Sequence, residues 1–101
     1  MTDNELQEVH LLEQNLQGLL FQKQAFQMEL SEISSALREI KNAGDEVFKL
    51  AGQLMIKVDK NEMQKDLAEK EKILNLRIAS VEKQELSLIE KLNKLREGIV
   101  R

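Results

Sequence analysis

Apolar residues recur along the N-terminal part of this chain in steps that alternate between three and four residues. The positions are Val9, Leu12, Leu16, Leu19, Lys23, Phe26, Leu30, Ile33, Leu37 and Ile40, of which only Lys23 is charged. An average period of 3.5 residues keeps one face of an α-helix turned toward a partner helix while both supercoil. The repeat therefore predicts a coiled-coil seam.

A second seam with the same spacing runs through the C-terminal part. Its positions are Leu67, Glu71, Leu74, Ile78, Val81, Glu85, Leu88, Leu92, Leu95 and Ile99. Thr2 with Glu5, and Asp59 with Glu62, have the spacing of capping boxes that start helices. The chain contains no proline, so nothing forces a break inside either helix. Two seams of similar length predict a mainly α fold, a long antiparallel coiled-coil hairpin with helices over residues 3–42 and 60–100.

The link between the seams is expected to form a short β-hairpin within residues 46–58. Asn42-Ala43-Gly44 supplies residues that end a helix through a left-handed C-terminal cap. Residues that favour strands then flank Ala51-Gly52, where we place the turn. The apolar residues of this segment are Val47, Phe48, Leu50, Leu54, Met55, Ile56 and Val58. The alternative is a flexible loop, but a merely solvated link would not carry all of these residues together.

An isolated two-stranded hairpin is only marginally stable, and each of its edges leaves backbone groups unpaired. The two helices leave the hairpin in one direction and cannot easily cover both edges. We therefore expect hairpins of several chains to pair and close into a β-barrel. The seven apolar residues of the hairpin are the predicted oligomerisation surface.

The composition excludes several classes of function. Without cysteine there is no disulfide, thiolate metal site or cysteine nucleophile. The net charge of -3 is mixed along the chain and offers no basic field for nucleic acid, and no apolar run is long enough to span a membrane. His10 is the only histidine, and a solvated helix position explains it. We expect a cytoplasmic protein that has no catalytic, cofactor or metal site and is not an enzyme.

The order of these segments resembles the beta-class subunit of prefoldin over most of the chain. The most specific part is Val47-Phe48-Lys49-Leu50-Ala51-Gly52 followed by Leu54-Met55-Ile56-Lys57. It is similar to that family's pattern of Val, an aromatic, Lys, an apolar residue, a small residue and Gly, then an apolar strand ending in Lys. The heptads are less specific, since any coiled coil supplies them. One departure is Gln53, where related chains often carry Pro, and this leaves the turn type open.

The resemblance implies a single prefoldin-like domain over residues 1–101. It also implies a hetero-hexamer of two alpha-class and four beta-class subunits, whose hairpins form a double β-barrel. Such complexes bind unfolded proteins at the tips of their coiled coils and deliver them to a cytosolic group II chaperonin without using ATP. The competing interpretation is a coiled-coil scaffold or tether, which needs neither an apolar hairpin nor apolar tips.

Apolar residues outside the seams are the candidates for client binding. They are Leu6, Leu11, Leu20, Phe21 and Met28 in the first helix, and Ile73, Leu76, Leu86, Ile89 and Val100 in the second. If the hairpin is the hub, both termini lie at the tip, where the candidate client-binding residues are Leu6, Val9, Leu11, Leu95, Ile99 and Val100. Leu6, Leu20 and Ile89 would also fit a wider seam. Phe21 and Met28 face away from the seam. Three interpretations remain for them: contact with a client, contact with a neighbouring subunit, or isolated apolar residues on the surface that need no role.

Three charged residues interrupt the seams: Lys23, Glu71 and Glu85. A charge at a core-facing position lowers stability but fixes the register of the helices when it finds an opposite charge. If Leu37 lies near Leu67, Lys23 falls within about one turn of Glu85. We therefore predict an ion pair between Lys23 and Glu85.

Overall fold

The computed structural model describes the backbone of residues 2–100 and the side chains of residues 2–98. The elements follow in the order α1 (Asp3–Asn42), β1 (Val47–Ala51), β2 (Leu54–Val58) and α2 (Lys60–Val100). Two long helices joined by an antiparallel two-stranded sheet confirm the predicted fold class. No helix in the described part of the chain is long and apolar enough to cross a membrane.

The chain divides into two compact units. The terminal unit comprises residues 1–26 and 77–101, and the hairpin unit comprises residues 27–76. In the terminal unit, Glu13 contacts Arg96 and Lys23 contacts Glu85. The residue number of the contact in α2 therefore rises as the residue number in α1 falls. The same holds in the hairpin unit, where Ser34 contacts Glu71 and Lys60 contacts Ala43. The helices are therefore antiparallel in each unit, as the equal seams predict.

Both seams lie at the contact between the helices. Every seam position with a described side chain is buried or half-buried. The buried apolar residues of the described chain are all seam positions, namely Leu12, Ile33, Leu74, Ile78, Val81 and Leu92. Ile99, the last predicted seam residue, has a side chain outside the described residues. The 3.5-residue period thus accounts for the whole described core.

Side-chain caps begin both helices where the sequence predicts them. The backbone N–H of Glu5 donates to Oγ1 of Thr2 at 3.2 Å. Oδ1 of Asp59 accepts from the backbone N–H groups of Asn61 and Glu62, at 2.8 and 3.1 Å. These bonds satisfy donors of the first turn that have no partner within the helix.

The end of α1 differs from the prediction. The helix stops at Asn42 as expected, but none of Asn42, Ala43 and Gly44 has a positive φ, so the left-handed cap does not form. Instead the N–H of Ala43 bonds to the carbonyl of Ile40 at 3.1 Å in a tight final turn. The carbonyl of Ala43 accepts from Nζ of Lys60 at 2.7 Å. A lysine from the start of α2 thus gives the Ala43 carbonyl, just beyond the end of α1, a hydrogen-bond partner.

The hairpin turns at Gly52-Gln53, one residue later than the sequence suggests. Ala51 pairs with Leu54, which leaves two residues in the loop. Gly52 has φ +63° and Gln53 has a negative φ, the combination of a type II′ turn. Glycine is favoured here because the first central position requires a left-handed φ.

The charged seam residues find polar partners. Nζ of Lys23 lies 2.8 Å from Oε1 of Glu85, and both side chains are largely covered, which confirms the predicted pair. The hydrogen bond that the Lys23 ammonium donates to the Glu85 carboxylate raises the pKa of Lys23 above its usual value. A raised folded-state pKa means that this contribution to stability persists through neutral pH and is lost only when the pH rises through that pKa. Glu71 accepts a hydrogen bond from Oγ of Ser34 at 3.2 Å, a partner that the sequence did not reveal.

We expect charge reversal to expose the role of the Lys23–Glu85 pair. Lys23→Glu or Glu85→Lys alone places two like charges together beside the seam, and each should lower the melting temperature by several degrees. The double reversal restores opposite charges and should recover most of the loss. Thermal unfolding followed by circular dichroism measures all four proteins. Equal losses in the two single variants and the double variant would contradict the pairing.

The cap at Asp59 gives a second prediction. Asp59→Ala removes the acceptor of two backbone N–H groups and should destabilise the protein by about 0.5–2 kcal/mol in urea unfolding. Asp59→Asn keeps an acceptor oxygen and serves as the matched control, with a much smaller loss expected. A similar loss for Asn and Ala would mean that capping is not what Asp59 contributes.

Candidate functional site

The hairpin is the most exposed apolar segment of its unit. We call its seven apolar residues, Val47, Phe48, Leu50, Leu54, Met55, Ile56 and Val58, the hairpin surface. Leu50, Leu54 and Met55 are exposed by 71%, 69% and 70%. Phe48 and Ile56 are about half exposed, and Val47 and Val58 are half-buried. The fold thus brings the predicted oligomerisation residues together and leaves most of them open to solvent.

Strand pairing places apolar side chains on both faces of the hairpin. Leu50 pairs with Met55, and Phe48 pairs with Lys57, so these four share one face. The opposite face carries Val47, Lys49, Ala51, Leu54, Ile56 and Val58. A solvated antiparallel sheet normally keeps one face polar. Exposed apolar surface of this kind is typical of a binding interface, and here it occurs on both faces.

Within the described part of the chain, neither edge of the hairpin has a strand beside it. A two-residue turn makes Ala51 and Leu54 a hydrogen-bonded pair, and such pairs alternate with non-bonded pairs along the ladder. Leu50–Met55 and Phe48–Lys57 are therefore the non-bonded pairs. Their backbone N–H and C=O groups point outward, two residues on each edge. Each edge is a template for another strand.

Charged residues lie beside the hairpin surface. Nζ of Lys57 is 3.9 Å from Oε1 of Glu46, and both side chains are highly exposed, so this ion pair contributes little to stability. Lys49 and Lys57 interrupt the apolar strands, which opposes unlimited edge-to-edge pairing. A solvated strand position explains the two lysines equally well.

The predicted tip residues fall in the terminal unit, and they differ in exposure. Leu11 is 57% exposed and Leu6 is 43% exposed. Val9 and Leu95 are half-buried because they are seam positions. The side chains of Ile99 and Val100 lie outside the described residues. Leu6 and Leu11 are therefore the tip residues that the structure leaves accessible.

The remaining apolar residues outside the seams with described side chains fall into a less exposed group, which includes Ile73 at 47%, and a more exposed group. Leu20 and Ile89 have the same 43% exposure as Leu6, the lowest among the exposed large apolar residues, which fits the wider-seam interpretation. Phe21 and Met28 are much more exposed, and so are Leu76 and Leu86. These exposed residues occur in both units, so surplus apolar surface is not confined to the terminal unit.

The terminal unit carries two contacts that the sequence did not predict. Nη2 of Arg96 lies 3.1 Å from Oε1 of Glu13. The guanidinium of Arg77 lies 5.9 Å from the ring centre of Phe26, within cation–π range. Glu13 directly follows the seam residue Leu12, and Arg96 directly follows Leu95. In an antiparallel register these two positions lie opposite each other, so the seams could have predicted this contact.

The described residues offer no site for metal chemistry. No group of three His, Asp or Glu side chains among them is placed to hold a metal ion. The concave surfaces are open grooves along the helices and the hairpin. Exposed apolar side chains and unpaired strand edges are the features of this arrangement that suit contact with other polypeptides.

Comparison with known proteins identifies the family. Residues 3–100 match the family model described as prefoldin subunit. The prefoldin subunit beta of Thermococcus onnurineus is 39% identical over 89 residues, which cover 86% of this chain and 77% of that protein. The prefoldin subunit beta of Sulfurisphaera tokodaii is 34% identical over 97 residues, covering 94% of this chain and 78% of that protein.

Solved structures agree with these matches. The crystal structure of the prefoldin beta subunit from Thermococcus strain KS-1 aligns with a TM-score of 0.86 at 37% identity, covering 95% of this chain and 86% of that one. The prefoldin beta2 subunit from the same strain aligns with a TM-score of 0.77 at 18% identity, covering 89% and 98%, and this match shows the fold alone. The paired seams, the apolar hairpin and these relatives together show that the chain belongs to the prefoldin family, with the beta subunits as its matched relatives.

Proposed function

We propose that this chain is a subunit of an ATP-independent molecular chaperone that holds unfolded proteins. In this proposal its hairpin joins those of alpha-class and further beta-class subunits in a β-barrel, giving a hexamer of two alpha and four beta chains. The complex delivers its clients to a group II chaperonin in the cytoplasm. Membership of the prefoldin family and the exposed hairpin surface support the proposal.

The observation that carries the proposal is a hairpin with two apolar faces and two open edges. Exposing Leu50, Leu54 and Met55 to water is unfavourable by about 25 cal/mol for each Å² of apolar surface. Pairing the outward backbone groups of Phe48, Leu50, Met55 and Lys57 with neighbouring strands satisfies the edges. Closing the strands into a barrel buries one face inside and removes the edges altogether.

We propose that residues 1–101 act as one prefoldin domain. The hairpin surface assembles the complex, while the residues near the termini bind clients. Unfolded clients present apolar side chains without a fixed sequence, so the binding surface must itself be apolar and adaptable. Leu6 and Leu11 provide exposed apolar side chains in the terminal unit, and we include Val9, Leu95, Ile99 and Val100 in the same proposed surface.

The proposed assembly is tested by a change on one face of the hairpin. Leu50→Ser with Met55→Ser removes two apolar side chains from the face that they share. Burial of each is worth about 1.5–3 kcal/mol, so we expect affinity for an alpha-class subunit to fall by at least about 100-fold. Native mass spectrometry after co-expression measures the loss of the complex.

The matched control is Leu76→Ser with Leu86→Ser, two helical residues of comparable exposure. The control should assemble like the wild type. Circular dichroism should show unchanged helix content in both variants, because all four side chains are exposed. Normal assembly of the Leu50/Met55 variant would remove the hairpin from the proposed interface.

The proposed client-binding surface is tested separately. Leu6→Ser with Leu11→Ser should at least halve the ability of the assembled complex to suppress aggregation of a denatured client, because it removes accessible apolar surface. Light scattering without nucleotide measures the suppression, and native mass spectrometry verifies that the complex is intact. Leu76→Ser in the hairpin unit is the control. Unchanged suppression by an intact double variant would count against these residues as client contacts.

A further inference from the structure

One stretch of α1 in the terminal unit has a surface almost without charge. Charged residues make up 33% of the whole chain, yet between residues 14 and 25 the one charged residue is Lys23. Its ammonium group is largely covered and pairs with Glu85. The rest of the stretch consists of amide, small and apolar residues. A surface of this kind repels no partner by charge, and it suits a partner surface that is itself uncharged.

Four residues of this stretch lie on the side of α1 that faces away from the seam. We call them the back face: Gln14, Gly18, Phe21 and Ala25. They follow one another in steps of four, three and four residues, the spacing of a coiled-coil seam. Exposed amide side chains border the back face on both sides, namely Asn15 and Gln22 on one side and Gln17 and Gln24 on the other. The stretch thus has the layout of a second, shorter helix contact.

Gly18 has no explanation within the chain itself. It lies in the middle of α1 and does not have a positive φ, and a Cβ built on it would meet no atom within 4 Å. Glycine inside a helix is less stable than alanine, so neither the backbone nor the packing of this chain favours it. One turn further along the same face, the ring of Phe21 is 63% exposed. A gap beside a protruding ring is what a closely approaching second helix would fill and cover.

A second copy of α1 fits the gap and the ring together when it runs antiparallel. With the back faces opposed, Phe21 of each copy lies over Gly18 of the other. Gln14 then lies opposite Ala25, so every large residue meets a small one. A two-fold contact requires this reciprocity, in which residue i meets residue j and residue j meets residue i. A parallel copy in register would instead set ring against ring and leave the two glycines facing an empty gap.

The bordering amides match in the same antiparallel register. Asn15 lies opposite Gln22 on one side, and Gln17 lies opposite Gln24 on the other. An amide side chain both donates and accepts hydrogen bonds, so identical surfaces pair without any charged partner. Lysine or glutamate at these positions would repel a like charge on the second copy, and none occurs there. An unfolded client, which presents no fixed sequence, would require neither the gap at Gly18 nor this pattern of amides.

We infer that the back face of α1 binds the back face of a second copy of this chain, with Phe21 of each copy seated over Gly18 of the other. The contact lies in the terminal unit, so it is separate from the hairpin surface and does not rest on the proposed function. It is about 17 Å long on each helix, from Gln14 to Ala25. A contact of this length is small, and we expect a weak association that covalent trapping detects.

The test traps the register with a disulfide, since the chain has no cysteine of its own. Two full-length variants are prepared, Gln17→Cys and Gln24→Cys, one of them isotope-labelled. They are oxidised mildly, alone and mixed, and mass spectrometry follows the disulfide-linked dimers. In the inferred register the two cysteines of a mixed pair lie opposite each other. In a pair of identical variants they lie about 10 Å apart along the helix, too far for a disulfide.

We expect the mixed disulfide to form at least about tenfold faster than either disulfide between identical variants. Association through the hairpin would speed all three reactions alike, so this preference reports the back face alone. A preference for disulfides between two Gln17→Cys chains would indicate parallel helices and overturn the inference. No preference for the mixed pair would overturn it too, and a simultaneous loss of client binding by Phe21→Ser would then assign the face to clients.

Two further changes on the back face test the contact itself, each added to both cysteine variants. Phe21→Ser removes the ring, and Gly18→Gln fills the gap while replacing a helix glycine with a better helix former. Each should slow the mixed disulfide at least about tenfold, and Gly18→Gln should not lower the melting temperature. The matched control is Leu86→Ser in α2 of the same unit, where the side chain is 61% exposed. The control should stay within about twofold, and an equal slowing by the control would contradict the inference.

Discussion

The packing of one apolar seam against another determines what remains exposed in this protein. Every buried apolar residue of the described chain belongs to a seam, so the contact between α1 and α2 accounts for the whole core. A seam with a 3.5-residue period is narrow, and it leaves no second apolar helix face of comparable continuity to cover the hairpin. The strands therefore keep apolar residues on both faces and free backbone groups on both edges. The apolar seams of the helices are thus buried, whereas the sheet keeps exposed apolar side chains and unpaired edges.

Charged and polar residues at the seam are expected to fix the register of the helices more than to add to stability. An ion pair such as Lys23–Glu85 is seldom worth more than an apolar pair of the same size, but sliding one helix past the other would leave both charges without partners. In the hairpin unit, Ser34 with Glu71 and Lys60 with the Ala43 carbonyl restrict the helices in a comparable way. The contact of Lys60 links the end of α1 to the start of α2, which are also the two ends of the segment that contains the hairpin.

Features governed by local sequence could be predicted, and those that depend on tertiary contacts could not. The seams, the caps at Thr2 and Asp59 and the strand segments follow from period and residue type. The turn predicted from the sequence lies one residue early, because a glycine indicates a left-handed position without indicating which position of the turn it occupies. The predicted left-handed cap of α1 is wrong because the helix ends in a tight turn from Ala43 to Ile40, and the Ala43 carbonyl finds its partner in Lys60, which is distant in sequence.

The candidate site divides in the same way. The apolar residues of the hairpin were identifiable from composition, but their assignment to two faces requires the observed register. The proposed tip residues also differ in exposure, which the sequence alone does not give. Val9 and Leu95 pack in the seam and are half-buried, whereas Leu6 and Leu11 are exposed.

We propose that the open edges of the hairpin bind neighbouring strands. Residue-resolved amide hydrogen exchange of the monomeric chain and of its complex with an alpha-class subunit tests this proposal. We expect the outward amides of Phe48, Leu50, Met55 and Lys57 to exchange fast in the monomer and slowly in the complex, whereas those of Lys49 and Ile56 should be protected in both. Outward amides that still exchange fast in the complex, or that are already protected in the monomer, would contradict it.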